Sequence, residues 1–324
     1  MNPKSEAAFL FLIAVVLTLP LRGWAQQVSD EGFDPPVTNP AYPSETGPRV
    51  GIDEAHHNFH TVRQGYAPFA KLLRNDGYRV QGFTSKFTSK SLKEVDILVI
   101  VQALAERNAN DWSLPTLSAF EKSEIDALEE WVKNGGSLLL IAGHMPWPGA
   151  AAKLAERFDV FFQNGFASPQ DPVSGELIFL QPKDQLKGLA DCSLVNHPIF
   201  AGRSSQETIP SIRAGRGQAF RLRPGGRARE LLILEGPWVL RFPVVAWEFS
   251  EKTPQVRADG MLVSAVAIIG QGRVITFGGM AAMLTAQLWG PERTPGGINS
   301  PDAKHNAQFV LNMLHWLSGL LPAE

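Results

Sequence analysis

The sequence Asp96-Ile97-Leu98-Val99-Ile100-Val101 is a run of β-branched and aliphatic residues with no polar residue between the apolar ones. Such a run is typical of a strand that is covered on both faces, as the strands of a parallel sheet are. Segments with helical spacing of apolar residues alternate with further strand candidates, which is the pattern of a doubly wound α/β fold. The predicted strands of the main sheet are 49–52, 78–83, 96–101, 137–142, 261–269 and 272–277, and the predicted helices are 66–75, 123–134, 150–158 and 303–317.

The section from about 161 to 255 differs in composition, because glycine, proline and arginine are frequent there. Short strand candidates occur in it instead of long helical patterns. We therefore expect a β-rich insertion within an α/β domain that spans about 49–320. Its strand candidates are 176–180, 219–222, 231–234 and 244–249.

The first 25 residues have the composition of a secretory signal peptide. A polar start precedes an apolar stretch from Ala7 to Leu19, and small residues at 23 and 25 provide a cleavage site. An uncleaved anchor is the alternative, although the stretch is short for a membrane span of roughly 20 residues. Residues 26–48 are rich in proline and are predicted to form an extended leader. We expect an exported protein, periplasmic or extracellular, with no membrane span after cleavage.

The charge and the cysteine content of the chain argue against several classes of function. The chain has 30 basic and 32 acidic residues, so no basic field indicates binding to nucleic acid or to an anionic membrane. The single cysteine, Cys192, cannot form an intramolecular disulfide, and no glycine-rich elbow surrounds it. We expect an inert thiol there, with stability supplied by the hydrophobic core.

Three of the seven histidines lie in Asp53-Glu54-Ala55-His56-His57-Asn58-Phe59-His60, directly after the first predicted strand. In open α/β sheets, ligands bind beyond the carboxyl ends of the strands, an edge called the rim below. Other polar or small residues follow neighbouring strands, and His144 follows the strand 137–142. The predicted ligand-binding residues of the rim are Asp53, His56, His57, His60, Gln102 and Gly279.

The same cluster could hold a divalent metal such as zinc. His56 and His60 are four residues apart, so both imidazoles would share a face if the chain were helical there. Asp53 and His144 would complete the ligand set, and metal-bound water would be the nucleophile, with Glu54 or His144 as the general base. Two alternatives stay open: a polar ligand site without metal, and a structural role in which Asp53 caps a helix, His56 and His60 hydrogen-bond the loop and His57 is solvated.

Four segments of the chain occur in a characteristic order. They are Val50-Gly51-Ile52-Asp53-Glu54-Ala55-His56, Asn134-Gly135-Gly136-Ser137-Leu138-Leu139-Leu140-Ile141-Ala142, His197-Pro198-Ile199, and the strand that ends in Gly278-Gly279. This order resembles exported proteins of the DUF4350 type, within the class I glutamine amidotransferase-like superfamily. The resemblance covers about Arg49 to Leu320. It implies a flavodoxin-like core, a parallel sheet with helices on both faces, but no settled activity.

One part of the superfamily pattern is missing from this chain. True amidotransferases carry a nucleophilic cysteine in a glycine-flanked elbow between a strand and a helix. Here the segment after the strand 137–142 is Gly143-His144-Met145, and Cys192 does not match the elbow. A Gly-x-Ser-x-Gly hydrolase elbow is also absent. The sequence therefore argues against glutamine hydrolysis.

These observations lead to three hypotheses of function. The first is an exported protein that binds a polar small molecule or glycan fragment at the rim. The second is a metal-assisted hydrolase of envelope or extracellular substrates. The third is a structural partner in an envelope complex.

Overall fold

A computed structural model describes residues 27–170, 178–180 and 192–324 of the chain. The expected signal peptide lies outside these residues, as do the first two residues of the expected strand 176–180. The described helices are α1 Ala67–Asn75, α2 Glu106–Ala109, α3 Lys122–Lys133, α4 Trp147–Glu156, α5 Pro198–Ala201 and α6 Asn306–Leu317.

The strands are short and extend along the whole described chain. Those of the first half are β1 Gln27–Ser29, β2 Arg49–Asp53, β3 Arg79–Phe83, β4 Ile97–Val101, β5 Ser137–Ile141, β6 Val160–Phe161, β7 Phe166–Pro169, β8 Ile178–Leu180 and β9 Cys192–Leu194. Those of the second half are β10 Ser211–Arg213, β11 Arg221–Leu222, β12 Ala228–Leu234, β13 Trp238–Arg241, β14 Gln255–Arg257, β15 Leu262–Ile269, β16 Gly272–Phe277, β17 Gln287–Trp289 and β18 Thr294–Pro295.

A mixed ten-stranded sheet forms the centre of the α/β structure, in the order β10-β8-β9-β12-β15-β16-β5-β4-β2-β3. The neighbours from β3 through β2, β4 and β5 to β16 all pair in parallel. Strand β15 pairs antiparallel with β16 across the expected hairpin, and β12 pairs antiparallel with β15. The parallel arrangement predicted from the buried runs therefore holds for one half of the sheet.

Alternate residues of the central strands face two separate hydrophobic layers. Val99 and Ile141 belong to the layer that contains apolar residues of α1 and α6. Leu98 and Leu140 belong to the opposite layer, with apolar residues of α3 and α4. All five residues of β4 and of β5 are buried. The uninterrupted apolar runs are thus explained by helices on both faces.

The expected β-rich insertion is not set apart from the main sheet. Strands β8, β9, β10 and β12 extend it, because they pair with one another and with β15. The expected strand 244–249 does not form: this stretch is irregular and contributes only an isolated bridge between Val245 and Ser113. Strands β7, β9, β10 and β13 of this section were not among the candidates; β7 and β13 pair antiparallel with each other.

Residues 27–48 pack against the domain rather than forming a free tether. Strand β1 pairs with β17. The amide of Ala41 donates to Oδ1 of the buried Asp76 at 2.7 Å, and Nδ2 of Asn299 donates to Asp30 at 2.9 Å. The segment contains one short strand followed by several turns, and these contacts hold it against the domain.

Among the described residues, we find no helix with the length and apolar character that a membrane span requires.

Truncation of a buried residue in a central strand should destabilise the protein. Leu139 of β5 is fully buried, so Leu139→Ala is expected to lower the free energy of unfolding by about 2–5 kcal/mol through lost burial and a cavity. Leu320→Ala, at a position that is 40% exposed, should change it by no more than about 0.5 kcal/mol. Urea unfolding of the three proteins measures both values, and equal losses would show that β5 is not part of the core.

Candidate functional site

The rim brings together residues that follow four neighbouring parallel strands. Asp53 is the last residue of β2, Gln102 follows β4, and Gly279 lies two residues beyond β16. A Cβ atom at Gly143 would lie 3.2 Å from the carbonyl oxygen of Gly279 and 3.5 Å from Nε2 of Gln102. Glycine at 143 therefore allows three strand ends to approach one another closely.

His56 connects two buried carboxylates. Its Nδ1 lies 2.9 Å and 3.0 Å from the two carboxylate oxygens of Asp53, and its Nε2 lies 3.0 Å from Oε1 of Glu124. All three side chains are almost completely buried. The His56 ring also packs against Phe87 and Phe120, with centroid distances of 4.5 Å and 4.8 Å. This arrangement joins the end of β2 to the first turn of α3.

The pKa values of this cluster favour a charged imidazole. Burial by itself lowers the pKa of His56, but the hydrogen bonds and charges of Asp53 and Glu124 outweigh it, so the pKa is raised. Burial raises the pKa of Glu124, but this effect is outweighed by the hydrogen bond from the Glu121 amide and the contact with His56, so the pKa is lowered. An imidazolium that donates from both nitrogens satisfies both carboxylates.

The remaining residues of the first histidine cluster have separate surroundings. Oε1 of Glu54 accepts a hydrogen bond of 2.7 Å from the Val62 amide and so holds the intervening loop. His57 is exposed and has a left-handed backbone, with φ at 44°. His60 is buried against the ring of Tyr66, at a centroid distance of 5.1 Å, and burial lowers its pKa to about 3.

Two of the expected metal ligands already use ring nitrogens in contacts within the protein. Both ring nitrogens of His56 already contact carboxylates, while Nδ1 of His144 is used by a backbone carbonyl. Within 27–170, 178–180 and 192–324, no group of three or more histidine, cysteine, aspartate and glutamate side chains is arranged to hold a metal ion. That Asp53, His56, His60 and His144 share one ion therefore stays a prediction. Glu124, which the sequence interpretation did not include, contacts the second ring nitrogen of His56.

His144 has a different environment from the other candidates. Its Nδ1–H donates to the carbonyl of Met145 at 2.7 Å, which leaves the lone pair on Nε2. The ring stacks on Phe166 at 4.6 Å and contacts Trp147 at 4.5 Å and Trp247 at 4.4 Å. Burial lowers the pKa of His144 to about 4, although the bond to Met145 opposes this change. The imidazole is therefore neutral at pH 7.

Aromatic rings surround His144 and form a continuous surface along the rim. We call this group the aromatic surface; it consists of Phe59, Trp112, Trp147, Phe166, Trp247 and Phe249. Its centroid distances are 5.5 Å for Phe59–Trp147, 5.0 Å for Trp112–Trp147, 4.7 Å for Phe166–Trp247 and 5.2 Å for Phe166–Phe249. Phe59, Trp247 and Phe249 are 48%, 45% and 41% exposed, respectively. The surface therefore has a buried inner side and an open outer side.

Loop pairing brings the aromatic surface together from distant parts of the chain. The Ala246 amide donates to the carbonyl of Trp112, and the Leu114 amide donates to the carbonyl of Val244. The Met145 amide donates to the carbonyl of Gly165. These contacts involve irregular backbone, so strand and helix patterns did not indicate them. The only sequence indication was that Trp147 follows a predicted strand end.

Two buried polar atoms of the rim have no hydrogen-bond partner within the described part of the chain. They are Oε1 of Gln102 and Nε1 of Trp147, and both side chains are 3% exposed. Both residues contact Phe59: the main-chain carbonyl of Gln102 accepts from its amide, and the ring of Trp147 packs against its ring. Buried polar groups normally have partners, so a group without one at a rim is an indication of ligand binding.

The backbone of the rim is also unusual. Gln102 and Trp247 have φ angles of 50° and 69°, a region that residues other than glycine rarely adopt. Each such residue costs about 1–3 kcal/mol and is found preferentially at functional sites. His57, two residues before Phe59, also has a left-handed backbone.

Comparison with solved structures identifies the fold class. The first similar structure is described as the mmIFT52 N-terminal domain: it is 14% identical, the match covers 83% of this chain and 97% of that chain, and the TM-score is 0.51. A ThuA-like protein from Bacteroides uniformis is 16% identical over 88% of this chain and 94% of that chain, with a TM-score of 0.47. A GMP synthase component from Thermoplasma acidophilum is 9% identical over 84% and 94%, respectively, with a TM-score of 0.41.

The similarity to the mmIFT52 domain shows a shared α/β fold and nothing about ligands. No protein-family model matches the chain. The search of curated proteins also gives no match.

The charged cluster should make stability depend on pH. His56→Ala leaves the carboxylates of Asp53 and Glu124 without their shared partner and is expected to cost about 3–5 kcal/mol near pH 6. Because the pKa of His56 is raised on folding, this contribution is complete below its ordinary value of about 6.5 and is lost as the pH rises through the folded value. The lowered pKa of Glu124 predicts a second loss as the pH falls below about 4.5.

Urea unfolding of wild type and His56→Ala between about pH 5 and pH 9 measures this dependence. His57→Asn is the matched control, since His57 is exposed and asparagine tolerates the left-handed backbone. A difference between wild type and His56→Ala that stays constant up to pH 9 would contradict a charged His56.

Proposed function

We propose that this chain is an exported protein that binds a polar small molecule or glycan fragment at the rim, without glutamine amidotransferase activity. The observation that carries the proposal is the pair of buried, unpartnered polar atoms on Gln102 and Trp147 beside a half-exposed aromatic surface. Ligand sites are commonly built in this way, from aromatic walls and a few placed polar groups.

The assignment to the glutamine amidotransferase-like superfamily, with a flavodoxin-like parallel core, belongs to this proposal. It is supported by the parallel pairing from β3 to β16 and by helices on both faces of these strands. The DUF4350-type resemblance rests on the sequence segments alone. Export and a periplasmic or extracellular location rest on the signal-peptide pattern of the first 25 residues.

The site residues favour binding over glutamine hydrolysis. In the turn between β5 and α4, His144 lies among aromatic rings close to where a superfamily amidotransferase would carry its cysteine. Its nearest ring neighbours are Phe166, Trp147 and Trp247, none of which is a nucleophile. His144 is therefore assigned to ligand contact rather than to catalysis.

Metal-assisted hydrolysis is the weaker proposal, because the residues expected to carry it have other partners. Asp53 and His56 are committed to the contact with Glu124. Glu54, the expected general base, is bonded to the Val62 amide. The function of the first histidine cluster is thus to support the rim, and the ligand site is centred on His144 and Gln102.

Ligand-detected NMR with a mixed set of sugars, polyols, amino acids and nucleosides tests the proposal. We expect at least one compound to bind wild type and to lose most of its signal with Trp247→Ala, since Trp247 forms the open wall of the site. Val256→Ala is the matched control: it removes another exposed apolar side chain, in β14. No binding by any compound, or equal binding to wild type and Trp247→Ala, would refute a rim site and would leave the exposed aromatic residues to contact a protein partner.

A further inference from the structure

The polar atoms near the aromatic surface determine which hydrogen-bonding groups a ligand needs. Within the described part of the chain, Oε1 of Gln102 is an unpartnered acceptor and Nε1–H of Trp147 is an unpartnered donor. Nε2 of His144 is a second acceptor, because the proton lies on Nδ1 against the carbonyl of Met145. A matching ligand must both donate and accept hydrogen bonds. Hydroxyl groups do both.

Two charged groups beside the buried polar atoms are already paired, which favours a neutral ligand there. Both ring nitrogens of the buried His56 already contact the carboxylates of Asp53 and Glu124. At the loop that carries Trp112, the guanidinium of Arg107 lies 3.3 Å from the carboxylate of Asp111. Neither offers an unpaired charge to the ligand. A fully ionic ligand buried here would therefore lose its hydration without gaining a counter-ion.

The outer side of the aromatic surface favours a ligand with a flat apolar face. Trp247 is half exposed, and its ring contacts His144 at 4.4 Å and Phe166 at 4.7 Å. Phe249 continues this wall beyond Phe166. A broad ring presented to solvent beside hydrogen-bonding atoms can stack on a row of C–H groups while the edges of the ligand meet the polar atoms.

From these requirements we infer that the rim takes a neutral pyranoside, which stacks a C–H face on Trp247 and exchanges hydroxyl hydrogen bonds with Gln102, Trp147 and His144. This inference rests on the proposed function and specifies its ligand class. A pyranose ring combines an apolar face with hydroxyls that both donate and accept, which free anions, quaternary ammonium compounds and planar aromatics do not.

A titration with the methyl α- and β-pyranosides of glucose, galactose and mannose tests the inference. Betaine and inorganic phosphate serve as the charged probes, and glycerol serves as a polyol without a ring face. Saturation-transfer NMR is expected to show binding of at least one pyranoside, with the strongest transfer to its ring C–H protons. The charged probes and glycerol are expected not to bind.

Three variants test which side chains contact the pyranoside. Trp247→Ala should weaken the pyranoside by about tenfold or more, equivalent to about 1.4 kcal/mol. Gln102→Met, which keeps the side-chain length and removes the acceptor, should weaken it several-fold. Val256→Ala should leave the affinity unchanged. Circular dichroism and urea unfolding establish that each variant is folded before affinities are compared.

The possible outcomes distinguish an error in the ligand class from an error in the position of the binding site. Binding of betaine or phosphate, lost with Trp247→Ala, in the absence of pyranoside binding would overturn the inference and leave the proposed function standing. Pyranoside binding that is equal in wild type, Trp247→Ala and Gln102→Met would overturn the assigned contacts. Failure of every probe here and of the wider compound set would overturn both proposals.

Discussion

The contact of His56 with Asp53 and Glu124 is the interaction on which the rest of the rim depends. It places an imidazole, whose pKa is raised by its two partners, between two buried carboxylates and so joins β2 to the start of α3. A buried pair of carboxylates without the imidazolium would be strongly unfavourable, so the loop after β2 has one arrangement that satisfies all three groups. That arrangement fixes Phe59 against Trp147 and thereby sets one end of the aromatic surface.

The histidine cluster at 53–60 and the segment after β5 have different surroundings, and we propose different roles for them. The first histidine cluster is a support, because its carboxylates and imidazoles contact one another, the backbone or buried rings. The ligand-contact role is assigned to the segment after β5, where His144 keeps a free lone pair among aromatic rings. Strain in the backbone at Gln102 and Trp247 lies beside this second group. A rigid support next to strained, half-exposed contact residues is a common arrangement for a binding site.

Local sequence patterns predicted much of the fold. They did not predict which residues contact one another at the rim. The buried runs of β4 and β5 predicted covered parallel strands, and the strand ends located Asp53, Gln102 and His144. Glu124 could not be assigned, because it lies 68 residues from His56 and looks like an ordinary helix N-terminal acid. The stretch 244–249 resembled a strand because it is a short run in which only Glu248 is polar. Its backbone instead pairs with the loop that carries Trp112, which gives it an irregular course. Tertiary contacts of this kind leave no periodicity in the sequence.

The indole N–H of Trp147 provides the most direct test of the central claim, that the rim site is built around His144 and its unpartnered neighbours. In ¹H–¹⁵N spectra its resonance can be assigned with Trp147→Phe and followed as a pyranoside that binds wild type is added. We predict a downfield shift of this proton as Nε1–H gains a hydroxyl acceptor, with a saturation curve equal to that of ligand binding. A Trp147 indole resonance that does not move at saturation would contradict the account.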